Sequence, residues 1–181
     1  MTKLQDEYEI EVSTDKNGRE RNTAVYRGEF FTINLDKTEF LRFRQTSVAY
    51  LSIITVLHVL AGFINNQGMR QFYVSLPYTI AFFPLLYLGM GIFHLPKTKL
   101  KFQSDEVRLS FDRMKTASIS LLALLGVGII GELVYLIGFS LPGKRNTEFL
   151  FFILEFLPFL LTYFLLRSRQ RVVLTPLERE K

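Results

Sequence analysis

Charge is segregated along this chain in a way that few folds can accommodate. Residues 46–65, 72–93, 116–141 and 149–166 form four apolar stretches in which His58, Glu132 and Glu155 are the only Asp, Glu, Lys, Arg or His side chains. The rest of the 181 residues carries all 22 Lys and Arg and all but two of the 17 Asp and Glu. Runs near the roughly 20 residues needed to cross a bilayer, alternating with highly charged connections, predict transmembrane helices. The pattern excludes an ordinary soluble globule, and the apolar content excludes a disordered chain. With no Cys in the sequence, disulfide scaffolds, thiolate nucleophiles and Cys-ligated metal sites are excluded together.

The expected fold is an all-α membrane protein, a four-transmembrane-helix bundle with a small cytoplasmic β-hairpin or β-sheet appendage from the N-terminal tail. Three regions follow. Residues 1–44 form the cytoplasmic hairpin and a juxtamembrane helix; residues 45–166 form the transmembrane domain, with a cytoplasmic loop at 94–115; residues 167–181 form a basic cytoplasmic tail. The first apolar run begins at Thr46, after a long polar segment, and is expected to be retained rather than removed as a leader. The second contains Pro77 and Pro84, each of which removes a backbone donor, so a kinked span is expected there.

Basic residues are retained on the cytoplasmic side of a membrane. Lys37, Arg42 and Arg44 precede the first span; Lys97, Lys99, Lys101, Arg108, Arg113 and Lys115 lie between the second and third; Arg167, Arg169 and Arg171 follow the fourth. Against these twelve, the other side has Arg70, Lys144 and Arg145. Both termini are therefore expected in the cytoplasm of a bacterial cell, with the chain multi-pass in the inner membrane. Arg42, Arg44, Arg167, Arg169 and Arg171 are expected to meet anionic lipid headgroups, a reading that needs no nucleic acid.

Residues 7–13 alternate Tyr8, Ile10 and Val12 with glutamates, as a strand with one buried face does. The turn signal Asp15-Lys16-Asn17-Gly18 follows, then strand-like pieces at 22–27 and 29–34 joined at Gly28. Lys97–Gln103 and Arg171–Thr175 are also strand-like, and one small sheet gathering all of these pieces is expected beneath the bundle. Asp36-Lys37-Thr38-Glu39 has the form of a capping box ahead of a short interfacial helix. Ser104-Asp105-Glu106 starts another, with Val107, Phe111, Met114 and Ser118 on one face and Arg108 four residues from Asp112.

Gly126-Val127-Gly128-Ile129-Ile130-Gly131 spells GxGxxG, but the dinucleotide fingerprint works only where a strand turns into a helix. Within an apolar run, Ala123, Gly128 and Gly131 instead predict close helix packing.

The informative residues are those that the bilayer tolerates least. At 1.5 Å rise per residue, His58, Tyr78, Thr79, Glu132 and Glu155 fall about 10–14 Å from the outer ends of their spans, at a common level. A lone carboxylate in hydrocarbon costs at least a few kcal/mol, so these groups are expected to face inward and find partners. Two acids and one His lack the ligand count and spacing of a recognisable metal site, which leaves metal binding open. No catalytic signature or cofactor-binding pattern is present, so neither catalysis nor a cofactor is expected. The leading expectation is a non-enzymatic accessory or assembly subunit that forms homo- or hetero-oligomers with other membrane subunits. Alternatives are a small proton- or cation-coupled transporter or oligomeric channel using Glu132 and Glu155, and a membrane enzyme acting on lipid.

Overall fold

Asp36 begins the first long helix. Its carboxylate accepts the Glu39 N–H at 2.7 Å while the Glu39 carboxylate accepts the Asp36 N–H at 3.0 Å, closing the expected capping box. From there α1 (Lys37–Gly62) runs without interruption. The short interfacial helix expected ahead of the first span is thus its first two turns, because nothing between Phe43 and Thr46 breaks a helix. The computed structural model describes residues 8–14, 20–26, 28–97, 99–139, 143 and 145–177. The turn signal at 15–18 lies outside them, as do residues 140–141 of the expected third span.

α2 (Phe72–Phe93) continues through both Pro77 and Pro84. After it, α3 (Ser104–Val107), a π-helical turn (Arg108–Asp112) and α4 (Arg113–Gly138) form one unbroken rod, and α5 (Arg145–Gln170) follows. Among the described residues these make four helices long and apolar enough to cross a membrane. Their outer faces display Phe83, Leu86, Ile130 and Ile137, an exterior suited to hydrocarbon and poorly suited to water. Since lipid is as apolar as the helix surfaces, close van der Waals packing has to hold such a bundle together. α2 packs most extensively on α4, α4 on α5 and α5 on α1, whereas α1 and α2, neighbours in sequence, touch only slightly.

Gly131 makes the α2–α4 crossing possible. A Cβ there would stand 2.9 Å from the Tyr73 carbonyl oxygen, inside contact distance of the facing backbone. Gly91 performs the same service at the other end, where a Cβ would lie 3.1 Å from the Met114 nitrogen. Gly128 meets only the Pro77 ring at 3.9 Å, and Ala123 faces outward. All six residues of the GxGxxG pattern lie inside α4.

The expected single sheet is two. β1 (Tyr8–Thr14) and β2 (Glu20–Tyr26) pair as an antiparallel hairpin. β3 (Phe30–Ile33) turns away at Gly28, over which the Tyr26 ring lies so closely that a side chain there would displace the ring. It becomes the centre of a second antiparallel sheet, between β4 (Lys101–Gln103) and β5 (Leu174–Pro176). Phe31 opposes Phe102 and Pro176, and Thr32 opposes Lys101 and Thr175. Asn34 extends the seam: its amide donates to the Arg171 carbonyl at 3.2 Å and its Oδ1 accepts the Val173 N–H at 2.9 Å. The N-terminal segment, the α2–α3 connection and the C-terminal segment therefore meet at one end of the bundle.

Aromatic packing ties that sheet to the helices. Phe40, Phe102 and Phe111 are fully buried, with ring centroids 5.7 Å apart for Phe40–Phe102 and 5.6 Å for Phe102–Phe111, both edge to face. Val107, Phe111, Met114 and Ser118 line one buried face, as their spacing predicts. Arg108 pairs with Asp105 at 3.2 Å instead of Asp112. Asp112 is met from α5 by Arg169, whose Nε also donates to the Phe111 carbonyl at 3.0 Å. Arg169 thus bonds a backbone oxygen of the π turn, while Arg42, Arg167 and Arg171 remain exposed and Arg44 is half-buried.

Candidate functional site

Two polar clusters sit one above the other in the bundle, and the spacing of buried residues on α5 places them. Glu148, Phe151, Glu155, Pro158, Thr162 and Leu165 recur at three- and four-residue intervals and form one inward stripe. Ser47, Leu51, Ile54, His58 and Ala61 form the corresponding stripe on α1. Where α1 and α5 pack, His58 Nδ1 lies 2.9 Å from Glu155 Oε1 and 3.1 Å from Oε2, with the two side chains 1% and 7% exposed.

Aromatic groups seal this pair. The Tyr78 ring centroid lies 4.4 Å from that of His58 and Phe82 lies 4.6 Å away, while the Tyr78 hydroxyl donates to the His58 carbonyl at 2.9 Å. That hydroxyl lies against Gly62, so a side chain at position 62 would have to displace it. His58 Nε2 is buried without a hydrogen-bond partner. Thr79, one residue from Tyr78, faces outward and donates to the Ser75 carbonyl at 2.8 Å.

Glu132 belongs to the other cluster. It follows Leu121, Leu125 and Ile129 on the buried stripe of α4, is 0% exposed, and faces Glu148 and Asn66. Glu148 is equally buried, in the first turn of α5. Its carboxylate accepts the Gln67 N–H at 2.7 Å and the Gly68 N–H at 3.1 Å, where the 3-10 turn Gly68–Arg70 links α1 to α2. Two successive amides aimed at one carboxylate form a charge-assisted clamp. Gly68 lies directly against the Glu132 carboxyl, which a Cβ at 68 would displace. Both oxygens of Glu132, and both amide atoms of Asn66, are buried without a hydrogen-bond partner.

Of the five polar residues read from the sequence, the structure brings His58, Tyr78 and Glu155 together, puts Glu132 in a second cluster and leaves Thr79 at the surface. Seven residues separate Glu148 from Glu155, so the clusters stand about 10 Å apart along the helix. Phe151 lies between them, 2% exposed, its ring 6.0 Å from that of Tyr78. Sequence reading missed Glu148 and Asn66 because both fall just outside the apolar stretches. The signal that reaches Glu148 is its two-turn spacing from Glu155.

A third feature is the cleft left by the slight contact between α1 and α2. It has a volume of about 700 Å³ and is lined by Leu51, Ser52, Thr55 and Val56 on α1 and by residues from Phe82 to His94 on α2, Gly89 among them. Its polar side chains are already engaged along their own helices: Ser52 donates to the Val48 carbonyl at 3.0 Å and Thr55 to the Leu51 carbonyl at 2.8 Å, while His94 Nδ1 lies 2.6 Å from the Met90 carbonyl. The wall therefore suits a hydrocarbon occupant.

Among the described residues, no three His, Cys, Asp or Glu side chains converge as metal ligands. Compared with protein families, with curated proteins and with solved structures, the chain finds no match.

Proposed function

We propose that this chain is a non-enzymatic integral membrane protein that serves as an accessory or assembly subunit of a larger membrane complex, its sheet end in the cytoplasm. The α1–α2 cleft is the observation that carries this reading. Helices joined by a short turn ordinarily pack along their length, and here they leave an apolar cleft with small residues, Ser52 and Gly89, on opposite walls. Small residues let a further helix bring its backbone close, and the absence of free polar groups suits an apolar helix from another subunit. The twelve basic residues flanking the sheet end support its cytoplasmic placement and its contact with anionic headgroups.

A carrier using Glu132 and Glu155 draws less support. Glu155 is held by His58 behind Tyr78 and Phe82, and Phe151 stands between it and the Glu132 cluster, so one monomer offers little polar surface for a path.

The test is a photo-crosslinking residue at Met90, in the cleft, against a control at Val127, exposed on α4. Purification in gentle detergent with mass spectrometry should recover a stoichiometric membrane partner crosslinked at position 90 and absent at 127. Gly89→Trp, which fills the cleft, should release that partner while the protein stays monodisperse. Crosslinks to phospholipid alone, or a partner unaffected by Gly89→Trp, would overturn the reading.

A further inference from the structure

The end of the bundle opposite the three-stranded sheet holds a group of unfilled oxygen acceptors. Glu132 and Glu148 are both 0% exposed and face each other, and Asn66, 3% exposed, faces Glu132. Glu148 is already bound as an acceptor by the Gln67 and Gly68 amides. Neither Glu132 nor the Asn66 amide makes a hydrogen bond of good geometry, although Glu148 and Asn66 both lie within hydrogen-bonding reach of Glu132. Arg70, the nearby cationic side chain, is exposed. Two carboxyls out of water must either be neutralised by a proton or find a compensating positive charge, and no buried Lys or Arg among the described residues supplies the latter here.

We propose that Glu132, Glu148 and Asn66 form a binding site for one hard divalent cation, of which Ca²⁺ is the type. A proton shared by the two acids would satisfy a single oxygen. A cation of this class takes six to eight oxygen ligands from carboxylates, carboxamides, backbone carbonyls and water, so it uses Glu132 Oε1, Glu132 Oε2 and the amide oxygen of Asn66 together. The Asn66 amide sits beside Glu132 without a hydrogen bond of good geometry, and a turn about its last bond presents its oxygen in place of its NH2 group. Gly68 lies against the same carboxyl, so a side chain at 68 would displace the end of Glu132. Bound there, the cation joins α4 to α5 and the α1–α2 turn, the last two of which the Glu148 clamp already links. The site is independent of the proposed partner-binding cleft, which lies between other helix faces.

The experiment uses the full chain in detergent, stripped with EDTA and dialysed at pH 7, with CaCl2 as titrant in calorimetry and circular-dichroism melts. One saturable site per chain and a melting temperature that rises with Ca²⁺ are expected. Glu132→Gln keeps the shape and removes the charge, and it should weaken binding at least about tenfold, since even the loss of an outer partner costs a metal site that much. Asn66→Asp adds a carboxylate and should tighten it, a gain that a merely destabilised variant would not show. Absence of saturable Ca²⁺ binding by the folded wild-type chain at millimolar concentration overturns the proposal. So does a melting temperature that responds to pH alone, the signature of a shared proton, or unchanged affinity in Glu132→Gln.

Discussion

His58 Nδ1 lies 2.9 Å from Glu155 Oε1, which joins the first and last of the four long apolar helices through a pair that is almost wholly buried. Removing one partner strands the other in a low-dielectric core, a cost of about 3–5 kcal/mol. Glu155→Ala should lower stability by that order in a reversible detergent-unfolding titration. The double variant His58→Phe with Glu155→Leu should recover part of the loss, because neither apolar side chain needs a partner. If the double variant is as unstable as the sum of the two single ones, the pair is not coupled.

Gly131 and Ala123 are both small residues on α4, yet only Gly131 meets a facing backbone. Gly131→Leu should therefore force α2 and α4 apart, an overpacking cost of about 1–3 kcal/mol. Ala123→Leu, which points outward, should change stability by less than about 0.5 kcal/mol. Thermal melts of the two variants in the same detergent decide this, and equal effects would contradict the crossing described here.

Glu148 holds the α1–α2 turn by accepting two amides. Each hydrogen bond to a charged group contributes about 1.5–3 kcal/mol, so Glu148→Ala should speed amide exchange at Gln67 and Gly68 strongly. Glu148→Gln should fall between, because its NH2 group replaces one of the two acceptors. Exchange measured by mass spectrometry on peptides covering 64–71 checks both variants, and unchanged protection in Glu148→Ala would remove the clamp.

The absence of cysteine makes the sheet register directly testable. Thr32 and Thr175 oppose each other across β3 and β5, so Thr32→Cys with Thr175→Cys should oxidise to a disulfide. Moving the second cysteine to Val173, exposed and two residues away, should lower the yield several-fold. Equal yields on a non-reducing gel would mean that the strand slips.

Much of the architecture is legible one residue at a time. The number of long helices, the cap at Asp36, the buried face running from Val107 to Ser118 and the inward position of His58 all follow from local rules: hydrocarbon rejects charge, and a helix repeats every 3.6 residues. Strand-like pieces in the tail, the middle connection and the C-terminal segment were readable in the same way from alternation. Their partition into two sheets was not, because it turns on Tyr26 packing over Gly28, a contact that periodicity does not record.

The candidate site divides along the same line. Sequence by itself determined that scarce ionisable side chains would turn inward, since each pays heavily for meeting lipid. Tertiary structure alone decided their partners: Glu155 took His58, while Glu132 was left beside Glu148 and Asn66, two residues that sit beyond the ends of the apolar stretches. Depth along a helix was legible only coarsely: Glu132 and Glu155, read at one level from the ends of their apolar stretches, stand about 10 Å apart, because Glu132 lies level with Glu148 in the first turn of α5. Which side chains meet depends on how each helix is rotated and how its flanking turns fold back, and those are set by packing among residues far apart in the chain.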